Sequence, residues 1–190
     1  MESLATVTGG LYFEATEATE ADSLNQFAAA PRSLRPADSA ESGKDVMPER
    51  VVTNKVLCYV VRDGRLLVFR HTDYTFEEVG IQVPAGSVRS GETPEDAALR
   101  EAREETGLTD FTIIRKLGET EYDISPYQFE IQRRHVFHMK LTEPTPERWT
   151  SHENHDEKSE PTHFECFWIP LETAHVLQSG QGALLGRLFG

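Results

Sequence analysis

The chain has 190 residues, a length that predicts one domain with room for a tail. Its formal net charge is −13 and it has no basic block, which argues against binding to bulk nucleic acid through neutralised phosphates. No apolar run has the length of a membrane span, and the N-terminus lacks the basic-then-apolar pattern of a signal peptide. We therefore expect a cytoplasmic protein with no membrane contact.

Residues 1–48 differ in composition from the rest of the chain. They are rich in Ala, Ser, Glu and Thr, contain three prolines and show little periodicity. This composition predicts a disordered or loosely packed N-terminal arm, followed by one domain over residues 49–190. A second hypothesis is that translation begins at Met47. Detection of peptides from residues 1–46 in the native protein would refute it.

From Arg50 the sequence favours strands. Two β-rich runs flank Asp63-Gly64, a pair of residues typical of a hairpin turn. Arg70 and His71 end the second run, where both are expected at a solvated strand end, although Arg70 is also a candidate contact to a substrate phosphate. A polar loop is predicted over residues 72–79, followed by an edge or bulged strand at Pro84. Cys58 and Cys166 lie in apolar runs, which predicts buried free thiols.

A capped helix is predicted after a glycine-containing loop that runs from Gly86 to Glu92. Thr93 is a suitable N-cap, Pro94 fits the first helical position, and Asp96 is the acidic N3 partner. Gly107 then supplies the left-handed residue that ends such a helix.

Three carboxylates share one face of this helix. At about 100° per residue, Glu101, Glu104 and Glu105 fall within an arc of roughly 100°. Their mutual repulsion is relieved if they bind a hard divalent cation, and Arg100 is placed to brace a carboxylate. The simpler interpretation is a solvated helix rich in Glu and Arg.

Beyond the helix, the pattern predicts a strand with a turn region, then a long strand, and finally a buried strand and a helical tail broken by Gly180 and Gly182. His135 and His138 are three residues apart in the long strand and so lie on opposite faces, which disfavours a metal site there. Residues 142–161 are expected to form a long loop without regular structure, of a kind that is often functional. The order of elements predicts an α/β (α+β) fold with helices flanking a mixed sheet.

The stretch from Gly86 to Leu108 resembles the signature of the Nudix hydrolase superfamily. Ala102 occupies a position where a larger aliphatic residue is usual, and it is the only departure from the motif. The matching positions are Gly86, Glu92, Arg100, Glu101, Ala102, Glu104, Glu105, Gly107 and Leu108. The resemblance implies the family's α/β/α sandwich over roughly residues 50–189.

The residues themselves favour metal-assisted attack by water, since no serine or cysteine stands in the setting of a covalent nucleophile. The resemblance narrows this to hydrolysis of a nucleoside diphosphate linked to another moiety, with Mg²⁺ or Mn²⁺ as the cofactor. It implies metal ligands at Glu101, Glu104, Glu105 and the Gly86 carbonyl, with Glu101 also a candidate base. Glu105 is implied to be catalytic as well, with Arg100 and Glu92 as supports. A further ligand or base is expected from the later loop, with candidates Glu153, Glu157 and Glu160.

Several alternatives stay open at this point. The substrate is a small nucleotide derivative, and a nucleotide sugar, ADP-ribose and a nucleoside triphosphate are not distinguished. A catalytically silent Nudix-like module that senses such a ligand is the competing function, and an interaction protein acting through its acidic arm is a third. A homodimer is also compatible with the sequence.

Overall fold

The computed structural model describes residues 50–125, 128–153 and 161–189. The predicted arm, the proposed start at Met47, and the candidates Glu157 and Glu160 lie outside these residues. The regular elements are β1 Val51–Arg62, β2 Arg65–His71, α1 Phe76–Val79, β3 Ala85–Ser87, α2 Pro94–Thr106, β4 Phe111–Asp123, β5 Glu130–Leu141, β6 Arg148–Glu153 and β7 Thr162–Pro170, with short 3-10 helices at Leu171–Val176 and Leu185–Phe189.

The strands form one mixed sheet with the order β4-β5-β1-β2-β7-β6, and β3 pairs with β1 beside this path. β1 and β5 are parallel, while the other pairs are antiparallel. The predicted hairpin between β1 and β2 is confirmed. Asp63 and Gly64 both have positive φ, at 50° and 71°, as a two-residue hairpin turn requires.

Both faces of the sheet are covered. Alternation along β1 sends Val56 and Cys58 toward α2, and sends Leu57 and Tyr59 toward the C-terminal segment. Ala97, Ala98 and Ala102 of α2 are fully buried, so the helix approaches the sheet closely. A mixed sheet between flanking elements confirms the predicted α/β class. Cys58 and Cys166 are buried free thiols, as expected.

Three local predictions were wrong. β4 continues through the expected turn region, and register shifts between Ile113 and Arg115 and between Lys116 and Gly118 let the strand bend. The helical tail is interrupted at Gly180, as predicted, where Ser179 and Gly180 both adopt positive φ, but its two parts are short 3-10 helices rather than α-helix. The polar loop at 72–79 contains α1, which Thr75 and Glu78 cap reciprocally.

The predicted long loop at 142–161 also contains a strand. Arg148–Glu153 is β6, which pairs with β7 from Arg148↔Phe167 to Glu153↔Thr162. Its sequence is polar because β6 is an edge strand in which only Ser151 is buried. Among the described residues, no helix is long and apolar enough to cross a membrane.

Candidate active site

The position of α2 is fixed at both ends. The Thr93 hydroxyl accepts a hydrogen bond from the Asp96 backbone N–H at 3.1 Å, and Pro94 follows at the first helical position, as predicted. Gly107 ends the helix with φ 71°, and its N–H donates to the Arg103 carbonyl at 2.9 Å. The Trp149 indole donates to the last helical carbonyl, of Thr106, at 2.8 Å. The helix is therefore tied to the edge strand β6.

Arg100 joins the helix to the loop before it. Its Nε and Nη2 donate to the two carboxylate oxygens of Glu92 at 2.9 and 3.0 Å, and Nη2 also donates to the Ser87 carbonyl at 2.8 Å. Nη1 donates to Glu101 at 2.8 Å and to Glu104 at 2.9 Å. Burial alone would lower the pKa of Arg100, but its three glutamate partners outweigh burial and raise it. One guanidinium thus orients three carboxylates.

The carboxyl group of Glu101 packs against a glycine. A Cβ atom added to Gly86 would overlap the carboxyl group of Glu101, so only glycine leaves room for this close approach. Gly86 lies in β3, where it pairs with Val56 of β1. The motif glycine and the helix carboxylate therefore form one packed unit, in which the carboxyl group of Glu101 is held against the backbone.

Three carboxylates converge beside this unit. Oxygen atoms of Glu101, Glu104 and Glu153 all lie within 4.8 Å of one another, and we call this set the acidic cluster. Glu101 and Glu104 come from α2, while Glu153 is the last residue of β6. Pairing of β6 with β7 brings Glu153 to the helix across a large sequence distance.

Glu105 lies deeper and outside this set of three. Its side chain is buried, and its Oε2 accepts a hydrogen bond from the Ala85 N–H at 2.8 Å. Burial raises the pKa of Glu105, and the charges of Glu101 and Glu153 raise it further. Burial also raises the pKa of Glu101, in spite of the adjacent Arg100 guanidinium. The site carries more negative charge than its own residues neutralise.

A hard divalent cation fits this donor set. Mg²⁺ and Mn²⁺ prefer oxygen ligands, and a shared cation offsets the repulsion among carboxylates that are held this close together. The packing of Glu101 on Gly86 and its hydrogen bond from Arg100 hold the carboxylate oxygens of Glu101 in place without the ion. The chemistry of the acidic cluster is therefore that of a candidate metal centre.

The sequence matches a known family over most of the described domain. The profile of the NUDIX domain matches residues 52–185. The chain belongs to the Nudix family. This span contains every sheet strand except the first residue of β1.

Two curated relatives match shorter segments. An RNA pyrophosphohydrolase of Gluconobacter oxydans (strain 621H) is 41% identical over 64 residues, which are 33% of this chain and 36% of the relative. An ADP-ribose pyrophosphatase of Bacillus subtilis (strain 168) is 38% identical over 50 residues, which are 26% of this chain and 27% of the relative. The matches thus span about a third of the relatives' length or less.

A solved structure supports the Nudix fold. The crystal structure of a MutT protein from Methanosarcina mazei Go1 superposes with a TM-score of 0.54 at 18% identity. The superposition covers 74% of this chain and 95% of the other chain. At this identity the likeness concerns the fold alone.

The Nudix motif residues that were predicted to act together are brought together. Glu101 and Glu104 lie in the acidic cluster, and Glu105 adjoins it. Glu92 is held by Arg100, and this hydrogen bond lowers the pKa of Glu92. Of the loop candidates, the structure brings Glu153 to the helix. Metal ligation by these groups and by the Gly86 carbonyl stays a prediction.

Arg70 is not brought to the acidic cluster. Its neighbour Phe69 packs in the core that contains α2, and alternation turns Arg70 to the other face, where its Nε donates to Glu165 at 2.6 Å. The role of Arg70 as a phosphate contact stays a prediction, and its placement at a half-exposed strand end favours the simpler interpretation. His71, expected to be solvated, is instead buried against the rings of Phe69 and Phe164, and burial lowers its pKa to about 4.

One basic residue near the site was missed by the sequence analysis. Lys55 of β1 donates to the Ser87 hydroxyl at 2.7 Å, next to Gly86. A lysine in a strand carries no motif signal. Its position in the first predicted strand, just before the apolar run, was the available indication.

Replacing Arg100 with alanine is expected to destabilise the Nudix domain by about 3 kcal/mol, because breaking a largely buried ionic network leaves the charge of Glu101, which is itself buried, uncompensated. Urea unfolding monitored by circular dichroism measures the change. The matched control is Arg103→Ala, since Arg103 is exposed on the same helix and makes one long hydrogen bond, to the Thr109 carbonyl at 3.3 Å. Equal effects of the two changes would contradict the bracing role of Arg100.

Proposed function

We propose that the protein is a metal-dependent hydrolase that cleaves a phosphoanhydride bond in a nucleoside diphosphate linked to another moiety. The observation that carries the proposal is the acidic cluster, in which Glu101, Glu104 and Glu153 approach within 4.8 Å beside the buried Glu105. Membership of the Nudix family and the names of the two relatives support the same reaction class. Both names describe cleavage of a pyrophosphate in a nucleotide compound.

The proposed metal ligands are Glu101, Glu104 and Glu105, with the Gly86 carbonyl and Glu153 completing the set. A bound Mg²⁺ or Mn²⁺ would polarise phosphoryl oxygens and lower the pKa of an attacking water. Arg100 holds the side chains of Glu101 and Glu104 in position. Glu92 in turn holds Arg100 through two hydrogen bonds.

The proton of the attacking water needs an acceptor within the site. Glu101 and Glu153 are the candidates, because both carboxylates face the same small space and Glu153 is partly exposed at the end of β6. No covalent intermediate is required. Cys58 and Cys166 are buried in the core, and burial raises the pKa of each thiol, so neither is a nucleophile.

A substrate screen tests this proposal. The full chain is incubated with Mg²⁺ and a panel of ADP-ribose, nucleotide sugars, dinucleoside polyphosphates and nucleoside triphosphates, and both products are identified by chromatography and mass spectrometry. We expect one class to be cleaved at its pyrophosphate, with loss of activity in EDTA. Tight binding without turnover of any compound would contradict the proposal and favour a silent sensor.

Replacing Glu153 with glutamine is expected to lower kcat at least about tenfold, which is roughly 1.4 kcal/mol of transition-state stabilisation. The reason is that the change removes a charge from the acidic cluster while it keeps the side chain's size. Glu172→Gln is the matched control, because Glu172 is exposed in the first turn of a 3-10 helix. Steady-state kinetics measure kcat of both variants. An unchanged kcat in Glu153→Gln would exclude a catalytic role for Glu153.

Two further predictions concern the whole protein. Cytoplasmic location is tested by fractionation of cells that express the native protein. A homodimer is tested by light scattering of the purified full chain, where a mass near twice 21.4 kDa is the expected result for a dimer.

A further inference from the structure

Two basic side chains lie together on the face of the sheet away from α2. Lys55 of β1 and Arg134 of β5 are register partners in the parallel β1–β5 pair. Lys55 shares its side of β1 with Leu57 and Tyr59, which pack toward the C-terminal segment rather than against α2. The protein as a whole has a net charge of −13, so two adjacent cations form a local exception.

Both cations are satisfied by neutral groups in the described part of the chain. Arg134 is 2% exposed, and its guanidinium donates to the Gln132 amide oxygen at 2.7 and 3.1 Å and to the Ser179 carbonyl at 2.6 Å. It also stacks on the Tyr122 ring, 3.9 Å from the ring centroid. Lys55 donates to the Ser87 hydroxyl. Neither forms an ion pair with a carboxylate of residues 50–125, 128–153 or 161–189.

Burial without a counter-ion is costly for these groups. Burial lowers the pKa of Arg134 to about 10, and it also lowers the pKa of Lys55, which the nearby Arg134 charge lowers further. Glu130 and Glu101 oppose this effect on Lys55 from a distance. Buried charges are normally paired, so a cation pair without a carboxylate favours an external anion.

The pair adjoins the acidic cluster through β3. The Ser87 hydroxyl accepts a hydrogen bond from Lys55, and the Ser87 carbonyl accepts one from Arg100. The preceding residue, Gly86, is the glycine against which the carboxyl group of Glu101 packs. Lys55 and Glu101 are therefore on the two sides of the same short strand. Ser87 thus connects the Lys55 ammonium to the strand against which Glu101 packs.

We propose that Lys55, backed by Arg134, binds a phosphate group of the substrate on the side of β3 opposite the acidic cluster. This rests on the proposed function, since it names a contact for the same diphosphate. An ammonium with three donors suits phosphate oxygens, and Arg134 behind it raises the local positive potential without contacting the ligand. The contact supplies the positive charge that an acidic protein needs to hold an anionic substrate.

Binding of ADP in Mg²⁺, measured by isothermal titration calorimetry on the full chain, tests the proposal. Lys55→Met is expected to weaken ADP binding about tenfold, equivalent to about 1.4 kcal/mol. Lys55→Arg is expected to restore part of the affinity, because it keeps the charge. The matched control is Lys140→Met, an exposed lysine on β5, which is expected to bind ADP like the unmodified chain.

A purely structural role for Lys55 gives a different result. If Lys55 only positions Ser87, then Ser87→Ala should weaken ADP binding as much as Lys55→Met does, and Lys55→Met should melt at a lower temperature. Our proposal predicts a smaller loss in Ser87→Ala. It also predicts an unchanged or higher melting temperature in Lys55→Met, since a buried charge is removed.

The outcomes separate this inference from the proposed hydrolysis. Equal ADP affinity in Lys55→Met and the unmodified chain would overturn the contact, as would failure of the unmodified chain to bind ADP. If ADP binds through Lys55 but no compound of the panel is cleaved, the hydrolysis fails and the contact stands. Where a substrate is found, Lys55→Met is expected to raise KM more than it lowers kcat.

Discussion

Replacing Gly86 with alanine is expected to abolish most hydrolytic activity while the domain stays folded. The added Cβ would overlap the carboxyl group of Glu101, which lies at the end of its side chain and can be displaced without a backbone shift, at the cost of its hydrogen bond from Arg100. No positive φ is required at Gly86, so the backbone accepts alanine. The displaced carboxylate leaves the acidic cluster, and we expect kcat to fall at least about a hundredfold, or roughly 3 kcal/mol.

Gly186→Ala is the control for this change. It adds the same methyl group at a position with nothing within 4 Å and no positive φ, so activity and stability should stay at the level of the unmodified chain. Steady-state kinetics and thermal unfolding are measured on both variants. Full activity in Gly86→Ala would show that the packing of Glu101 on Gly86 has no role in catalysis.

Replacing Glu105 with glutamine is expected to lower kcat at least about a hundredfold, because the change removes a buried negative charge from the candidate metal centre. The fold should survive, since the glutamine oxygen can still accept the hydrogen bond from the Ala85 N–H. Without added metal, we expect a melting temperature equal to or above that of the unmodified chain. The reason is that the buried charge of Glu105 has no cationic partner among its described contacts.

The measurement for Glu105→Gln combines kinetics over a range of Mg²⁺ concentrations with thermal unfolding in EDTA. Glu172→Gln again serves as the exposed control. A variant that turns over like the unmodified chain at every Mg²⁺ concentration would exclude Glu105 from catalysis. A variant that fails to fold in EDTA would contradict the argument from buried charge.

The parts of the fold that the sequence predicts are those with local causes. The Asp63-Gly64 turn needs only two residues that tolerate positive φ, and the boundaries of α2 need only Thr93 and Gly107. The convergence of Glu101 and Glu104 follows from helical spacing alone. These features were therefore available without any knowledge of tertiary structure.

The features that the sequence did not predict depend on distant pairing. β6 has polar residues on both faces, and it becomes a strand because β7 offers it an edge. The same pairing brings Glu153, one of the three loop candidates, to the acidic cluster, while Glu157 and Glu160 lie outside the described residues. Lys55 shows the same limit. Its proximity to the site results from the pairing of β1 with β3, between residues more than thirty positions apart.

The most direct test of the central claim is hydrolysis of the best substrate of the panel in ¹⁸O-labelled water, with Mg²⁺ and with EDTA. Mass spectrometry then locates the label in the products. The account predicts one ¹⁸O atom in a phosphate group of one product with Mg²⁺, and no turnover in EDTA. Turnover that continues in EDTA, or a label found outside the phosphate groups, would contradict it.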